Sequence, residues 1–163
     1  MLGEVDALYN FACHLTRHSP TAEDLAQDTV VRALAASHTY LPGSNIKAWL
    51  FRILRNIHLD AVRREKRSPF VDGAKNDSSA EDEGQEILRG DIEIEQLRRL
   101  VAADIDEALS ALNEESRSVI LLDLEGFNER EIAEIMYCAA GTVKSRLARA
   151  RVTLRNKLRE YAK

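Results

Sequence analysis

The sequence predicts an all-α protein, with two small helical domains joined by a flexible acidic linker and a helix-turn-helix in the C-terminal domain. Three observations carry this. Apolar residues recur at intervals of three and four over most of the chain, as amphipathic helices require. Breakers are scarce, with 7 Gly and 3 Pro among 163 residues, so long helices are favoured over a turn-rich β fold. Between Ser68 and Gly90 the periodicity stops, and Pro69, Gly73, Asn76-Asp77-Ser78-Ser79 and Gly84 mix with acids. This divides the chain into residues 1–67, a linker at 68–92 and residues 93–163, each domain close to the lower size limit for independent stability.

The first helix is predicted over Glu4–Arg17, with Val5, Leu8, Ala12 and Leu15 on one face. His18-Ser19-Pro20 breaks it. Thr21 is placed to cap a second helix, with Asp24 three residues on as in a capping box. Leu25, Thr29 and Ala33 share that helix's inner face, and Glu23, Asp24 and Asp28 sit near the positive end of its dipole. Leu41-Pro42-Gly43-Ser44-Asn45 is a loop. A third helix follows over Ile46–Arg67, with an apolar stripe of Ile46, Trp49, Leu50, Ile53, Ile57 and Ala61. Arg52, Asn56, Arg63 and Arg67 fall on another face, so one helix holds a core and presents a polar surface.

After the linker, Ile94, Leu97, Val101, Ile105, Leu109 and Leu112 resume the helical spacing. Asn113 caps the next helix, whose inner residues are Ile120, Leu121 and Leu124, and Gly126 ends it. Asn128 with Glu131 forms a second capping box, followed by Ile132, Ala133, Ile135 and Met136. The last helix begins near Gly141, with Val143, Leu147, Ala150, Leu154 and Leu158 as its core stripe and a largely basic remainder. A short helix, a tight turn and a basic second helix make a helix-turn-helix.

The formal net charge of −4 conceals two basic blocks. Lys47, Arg52, Arg55, Arg63, Arg64, Lys66 and Arg67 form the first; Lys144, Arg146, Arg149, Arg151, Arg155, Lys157, Arg159 and Lys163 form the second. Two such blocks on either side of an acidic tether suggest a bipartite nucleic-acid binder.

Other classes fit poorly. His14, His18, His38 and His58 are scattered, and neither a paired-carboxylate site nor a Gly-rich phosphate loop is evident, so catalysis is not expected. Cys13 and Cys138 lie outside any metal-ligating spacing and are expected as small buried residues, without a metal, a cofactor or a disulfide. No stretch reaches the roughly 18 apolar residues of a membrane span, and the start lacks a signal-peptide pattern, so a cytoplasmic location is expected.

Four segments in series resemble the extracytoplasmic-function sigma factors of the sigma-70 family. Ala22-Glu23-Asp24-Leu25-Ala26-Gln27-Asp28-Thr29 is similar to the family's polymerase-binding helix. Pro42-Gly43-Ser44-Asn45-Ile46-Lys47-Ala48-Trp49-Leu50-Phe51-Arg52-Ile53-Leu54-Arg55-Asn56 is similar to its −10 element segment. Glu131-Ile132-Ala133-Glu134-Ile135-Met136 and Gly141-Thr142-Val143-Lys144-Ser145-Arg146-Leu147, continued by Arg149-Ala150-Arg151, resemble its last two helices.

The resemblance implies a first domain that docks on the β′ clamp helices of core RNA polymerase through Asp24, Leu25, Gln27 and Asp28. It implies −10 element contacts from Ser44, Asn45, Lys47, Arg52, Asn56, Arg63, Arg64 and Arg67. The amide of Asn56 suits a base edge, and the arginines suit phosphates. The second domain would meet the β flap and read the −35 element with Thr142, Lys144, Ser145, Arg146, Ala148 and Arg149. Arg146, Arg151 and Arg155 are equally suited to phosphate contacts or to ion pairs within the domain, and Arg117 to the flap, the DNA backbone or an ordinary surface role. Trp49 is expected in the core rather than stacked on a base. An anti-sigma factor is the further partner the family implies. The alternative is a sigma-like decoy that sequesters such a factor. Three departures stand out. Tyr137 occupies a turn position where the family commonly has glycine, Ala139 and Ala140 provide no side-chain cap, and Ala148 is small.

Overall fold

The computed structural model describes residues 2–67 and 91–159, all of whose long elements are helices. The first half comprises α1 (Leu2–Thr16), α2 (Ser19–Ala35), a short 3-10 turn (Ser37–Thr39) and α3 (Ile46–Arg67). The second comprises α4 (Asp91–Ser110), α5 (Glu114–Leu124), α6 (Glu129–Met136) and α7 (Ala140–Lys157). The expected flexible acidic linker falls on residues outside those described, except that α4 already begins at Asp91.

Local chemistry sets most boundaries. Asn113 Oδ1 accepts from Ser116 N at 2.8 Å and starts α5. Gly126, at φ 91°, ends that helix, and Gly126 N and Phe127 N donate back to the carbonyls of Asp123 and Leu122. This pairing is a Schellman motif, and it needs a left-handed residue at the position Gly126 fills. Asn128 and Glu131 form the expected capping box at the start of α6.

The α1–α2 junction differs from expectation. Arg17, at φ 55°, reverses the chain and His18 takes the cap, its Nδ1 accepting from Thr21 N at 3.4 Å. Thr21 is therefore inside α2, in its first turn, because Pro20 is already preorganised for helical φ there.

The two halves share one continuous apolar core. α3 packs against α1 and α2 on one side and against α6 on the other, while α5, α6 and α7 pack on one another. Two-sided packing rotates the α3 stripe from the expected one. Leu50, Phe51, Leu54 and Ile57 are buried, Trp49 and Ile53 are half-buried, and Ile46 and Ala61 are exposed. The fully buried Phe51 ring lies 5.2 Å from Phe11 and 5.1 Å, edge-on, from Phe127, so an aromatic chain runs from α1 through α3 to the turn before α6. Each such pair contributes about 0.5–1.5 kcal/mol beyond its burial.

Other apolar positions divide. Leu25, Thr29 and Ala33 are buried as expected, and Thr29 Oγ1 returns to Leu25 O at 2.7 Å. Leu109 and Leu112 are buried, but Ile94, Leu97 and Ile105 on α4 are exposed, as is Leu124 at the end of α5. α4 lies at the edge of the fold, touching α7 along a short stretch, so its apolar face has little to pack on.

Candidate nucleic-acid and polymerase interface

The helix-turn-helix is α6, the turn Tyr137–Ala139 and α7. Tyr137 closes α6 in the left-handed conformation (φ 51°, ψ 48°), and Cys138 N donates to Ala133 O behind it. A side chain with a Cβ thus occupies a backbone region that favours glycine, at a cost of about 1–2 kcal/mol. α7 begins after Ala139 without a side-chain cap, as the two alanines imply.

The outer face of α7 presents Lys144, Ser145, Ala148 and Arg149, all exposed, with Thr142 half-buried beside them. Ser145 Oγ donates to Thr142 O at 3.0 Å, and Arg149 Nε makes a long 3.4 Å contact to Ser145 O. Arg146 is different. Its guanidinium sits 2.6 Å from Glu115 and is 18% exposed, so it ties α7 to α5. Arg151 does the same through Asp123 at 3.1 Å. Of the alternatives open for these two arginines, the fold takes the ion pair.

In the first half, the loop before α3 is rigidly tied. Gly43 takes φ 87°, Ser44 Oγ donates to Leu41 O at 2.6 Å, and Tyr40 Oη donates to Ser44 O at 2.8 Å. Asn45 Oδ1 accepts from Ala48 N at 3.3 Å, a capping role at the start of α3 that sequence reasoning missed. Trp49 is half-buried, 5.3 Å from the Tyr40 ring, which is the core position expected of it.

Three candidate DNA-reading side chains face the second half. Asn45 Nδ2 donates to Glu131 Oε1 at 2.9 Å. Lys47 Nζ meets Glu125 Oε2 at 3.0 Å and Glu125 O at 3.1 Å, and lies over the Phe127 ring at 5.4 Å. Asn56 Nδ2 donates to Tyr137 Oη at 3.0 Å. His58 Nε2 lies 3.3 Å from Glu114 Oε1 across the same seam. Arg52 lines a cavity of about 300 Å³ with Asn45, Glu131 and Glu134. Nearby, burial pushes the Arg55 guanidinium down from its ordinary range, opposed by the charges of Cys138, Glu115 and Glu114; an arginine stays protonated regardless. Arg63, Arg64 and Arg67 stand apart on the exposed end of α3, Arg63 in a loose 3.8 Å pair with Asp60.

On α2, Asp24, Gln27 and Asp28 form an exposed ridge, with Gln27 Nε2 3.4 Å from Glu23 Oε1. Leu25 is 7% exposed and faces the core, so it supports this ridge from beneath and offers no surface anchor. Arg117 donates to the carbonyls of Leu109 (3.0 Å) and Leu112 (2.9 Å), tying the end of α4 to α5. No periodicity or motif marks Glu125 and Glu131 as partners of α3; only Tyr137, bulky at a glycine-like turn position, carries a signal.

Among the described residues, no helix is long and apolar enough to cross a membrane. Residues 4–68 match the family described as Sigma-70 region 2, and residues 102–154 match the family described as Sigma-70, region 4. The ECF RNA polymerase sigma factor EcfG of Rhodopseudomonas palustris is 36% identical over 155 residues, covering 94% of this chain and 80% of that protein. Among solved structures, the sigma factor RpoE in complex with the anti-sigma factor NepR from Bartonella quintana has a TM-score of 0.73 at 34% identity, covering 97% of this chain and 93% of that one. CnrH in complex with the cytosolic domain of CnrY has a TM-score of 0.63 at 26% identity, covering 94% and 81%. Its α3 polar face, its helix-turn-helix and these likenesses over nearly the whole length establish that the chain belongs to the extracytoplasmic-function sigma factors of the sigma-70 family.

Proposed function

We propose that this sigma factor binds core RNA polymerase in the cytoplasm through the α2 ridge and directs it to promoters read by two separate surfaces. Residues 1–67 would engage the β′ clamp helices and the −10 element, residues 93–163 the β flap and the −35 element. Asp24, Gln27 and Asp28 would pair with a basic clamp surface. Asn56 would contact a base edge, with Ser44, Asn45 and Lys47 shaping the loop beside it. Arg52, Arg63, Arg64 and Arg67 would hold phosphates, and Lys144 and Arg149 would reach bases in the major groove. Such a protein needs no cofactor and acts on no small molecule; the polymerase supplies the chemistry.

The observation that best supports this is the sorting of cations on α7. Arg146 and Arg151 are committed to Glu115 and Asp123, while Lys144 and Arg149 are exposed on the outer face. The structures of relatives in complex with NepR and CnrY suggest an anti-sigma partner for this chain too. Retention of both basic surfaces argues against a decoy, which needs neither.

The test is co-elution of the purified chain with bacterial core polymerase, followed by retention of native promoter fragments. Co-elution with selective retention supports the proposal. Co-elution without retention favours the decoy, and no co-elution overturns the proposal.

A further inference from the structure

We propose that α1, α2 and α3 enclose a binding site for a small neutral aromatic molecule, and that its occupation steadies the loop Leu41–Asn45 through Tyr40. The molecule would act as an effector and undergo no chemistry. Its consequence for promoters rests on the proposed role of that loop at the −10 element; the binding itself does not.

The site follows from how three helices meet. α2 packs on both α1 and α3, and α1 packs on α3. Near the end of α2 the inward residue is Ala33, whose single methyl leaves space between Leu8 of α1 and Leu50 of α3. Past Ala35 the chain turns away through the 3-10 turn. What remains is a cavity of about 170 Å³, floored by the buried Leu8, Ala33 and Leu50 and walled by Tyr40 and Trp49. Val5, Leu34 and Ile46, all exposed, stand at its mouth.

Three observations indicate the occupant. First, none of the lining residues is charged, and only Ser37, Tyr40 and Trp49 carry a polar side-chain atom. An ion entering would lose its hydration with little to replace it. Second, the size fits: an apolar cavity of about 150 Å³ stays dry and takes a benzene-sized molecule. Third, the Tyr40 and Trp49 rings lie 5.3 Å apart at a tilt of 56°. A third ring packed on this pair extends the tilted geometry that aromatic groups prefer. The Ser37 hydroxyl suits one hydroxyl on the ligand, so a phenol-sized molecule meets all three conditions.

Tyr40 connects the cavity to the loop. Its Oη donates to Ser44 O at 2.8 Å, and Ser44 Oγ donates to Leu41 O at 2.6 Å. A Tyr40 ring held between a ligand and Trp49 therefore holds the loop bonded to it.

The experiment uses the full chain without DNA or polymerase, so it stands apart from any failure of promoter reading. The probe is 4-fluorophenol, followed by its fluorine resonance and by the indole N–H of Trp49, the single tryptophan of the chain. Both should shift saturably with a Kd of about 0.1–1 mM, within reach of so small a ligand. The anion 4-fluorobenzoate should bind at least about tenfold more weakly. Ala33→Met extends into the cavity and should abolish saturation. Leu34→Glu sets a carboxylate at the mouth and should raise Kd at least about fivefold. Leu34 is 63% exposed, so that variant should fold even where Ala33→Met does not. The Ser44 amide should shift on occupation in the parent and not in Tyr40→Phe, which keeps the ring and removes the hydroxyl. Shifts still linear at about 10 mM, or saturation that neither Ala33→Met nor Leu34→Glu weakens, would overturn the site. Equal affinity for 4-fluorobenzoate would overturn the assigned chemistry, and an unresponsive Ser44 amide the link to the loop. A chain that sediments as a dimer, and as a monomer after Leu34→Glu, would give the mouth to a second copy instead.

Discussion

Replacing Arg149 and Arg146 separately by alanine should have opposite consequences, although they lie three residues apart on one helix. Arg149 is exposed and, among the described residues, its side chain makes only the 3.4 Å approach to Ser145 O, so its removal should change folding stability by less than about 0.5 kcal/mol. A base contact is worth about 1–3 kcal/mol, so Arg149→Ala should weaken promoter binding roughly 5- to 150-fold and relax preference within the −35 element. Arg146 is 18% exposed and 2.6 Å from Glu115. Breaking that charge-assisted pair should cost about 1 kcal/mol and lower Tm by about 2–4 °C, with a smaller loss of DNA affinity. The assay pairs thermal unfolding of each variant with competition among promoter duplexes that differ only in the −35 element, using the chain bound to core polymerase. The reasoning fails if Arg149→Ala unfolds the chain several degrees early while leaving promoter choice intact, or if Arg146→Ala alters promoter choice as strongly as Arg149→Ala without lowering Tm.

Other outcomes follow from single features. Asn128→Ala removes the acceptor half of the α6 capping box and should cost about 1 kcal/mol, read as a Tm lowered by about 2–4 °C. An unchanged Tm would show that α6 is held by packing alone. Gly126→Ala meets no neighbouring atom but must keep φ 91°, so it should destabilise by about 1 kcal/mol, whereas Gly141→Ala, equally unobstructed and in ordinary helical backbone, should be neutral or stabilising. Equal melting points for the two would contradict the assignment of strain. Burial is the largest influence on the His14 imidazole and pushes it below its ordinary 6.5, with Asp106 opposing and Arg117 and Arg17 adding to the shift. The unfolded chain then binds the proton more readily, so this group's contribution to stability is present above about pH 6.5 and declines as pH falls below it. Urea unfolding between pH 7.5 and 5.5 should show a shallower decline for His14→Asn than for the parent; identical slopes would remove His14 from the account.

What could be read in the sequence was what local chemistry decides. The caps Asn113 and Asn128 with Glu131, the break at Gly126 and the inner face Leu25–Thr29–Ala33 each depend on residues within one or two turns. The start of α2 departs from the expected one because Arg17 adopts a positive φ, which nothing in its side chain signals, and this lets His18 cap in place of Thr21. A single period of 3.6 describes one buried stripe, and α3 has a wider buried face than that. The run Trp49-Leu50-Phe51 followed by Ile53-Leu54 is apolar around more than half the helix, which is what packing against both α1–α2 and α6 demands.

The site was legible as a set of residue types and illegible as an arrangement. Asn45, Lys47 and Asn56 have the same composition whether they face solvent, DNA or another part of the chain, and partners some 80 residues away leave no periodic trace. Arg146 and Arg149 likewise differ only in whether an acid on α5 lies opposite. Tyr137 was the exception: a bulky residue at a turn that favours glycine could be noticed from sequence, though not the Asn56 amide it reaches.

The most direct test of the central claim is run-off transcription with bacterial core polymerase on a pool of native promoter fragments, with and without the purified chain. The account predicts transcripts that require the chain and that are lost or strongly reduced when Asn56→Ala and Arg149→Ala are combined in a protein that still melts like the parent. Core polymerase that gains no promoter-specific transcription from the chain would contradict it.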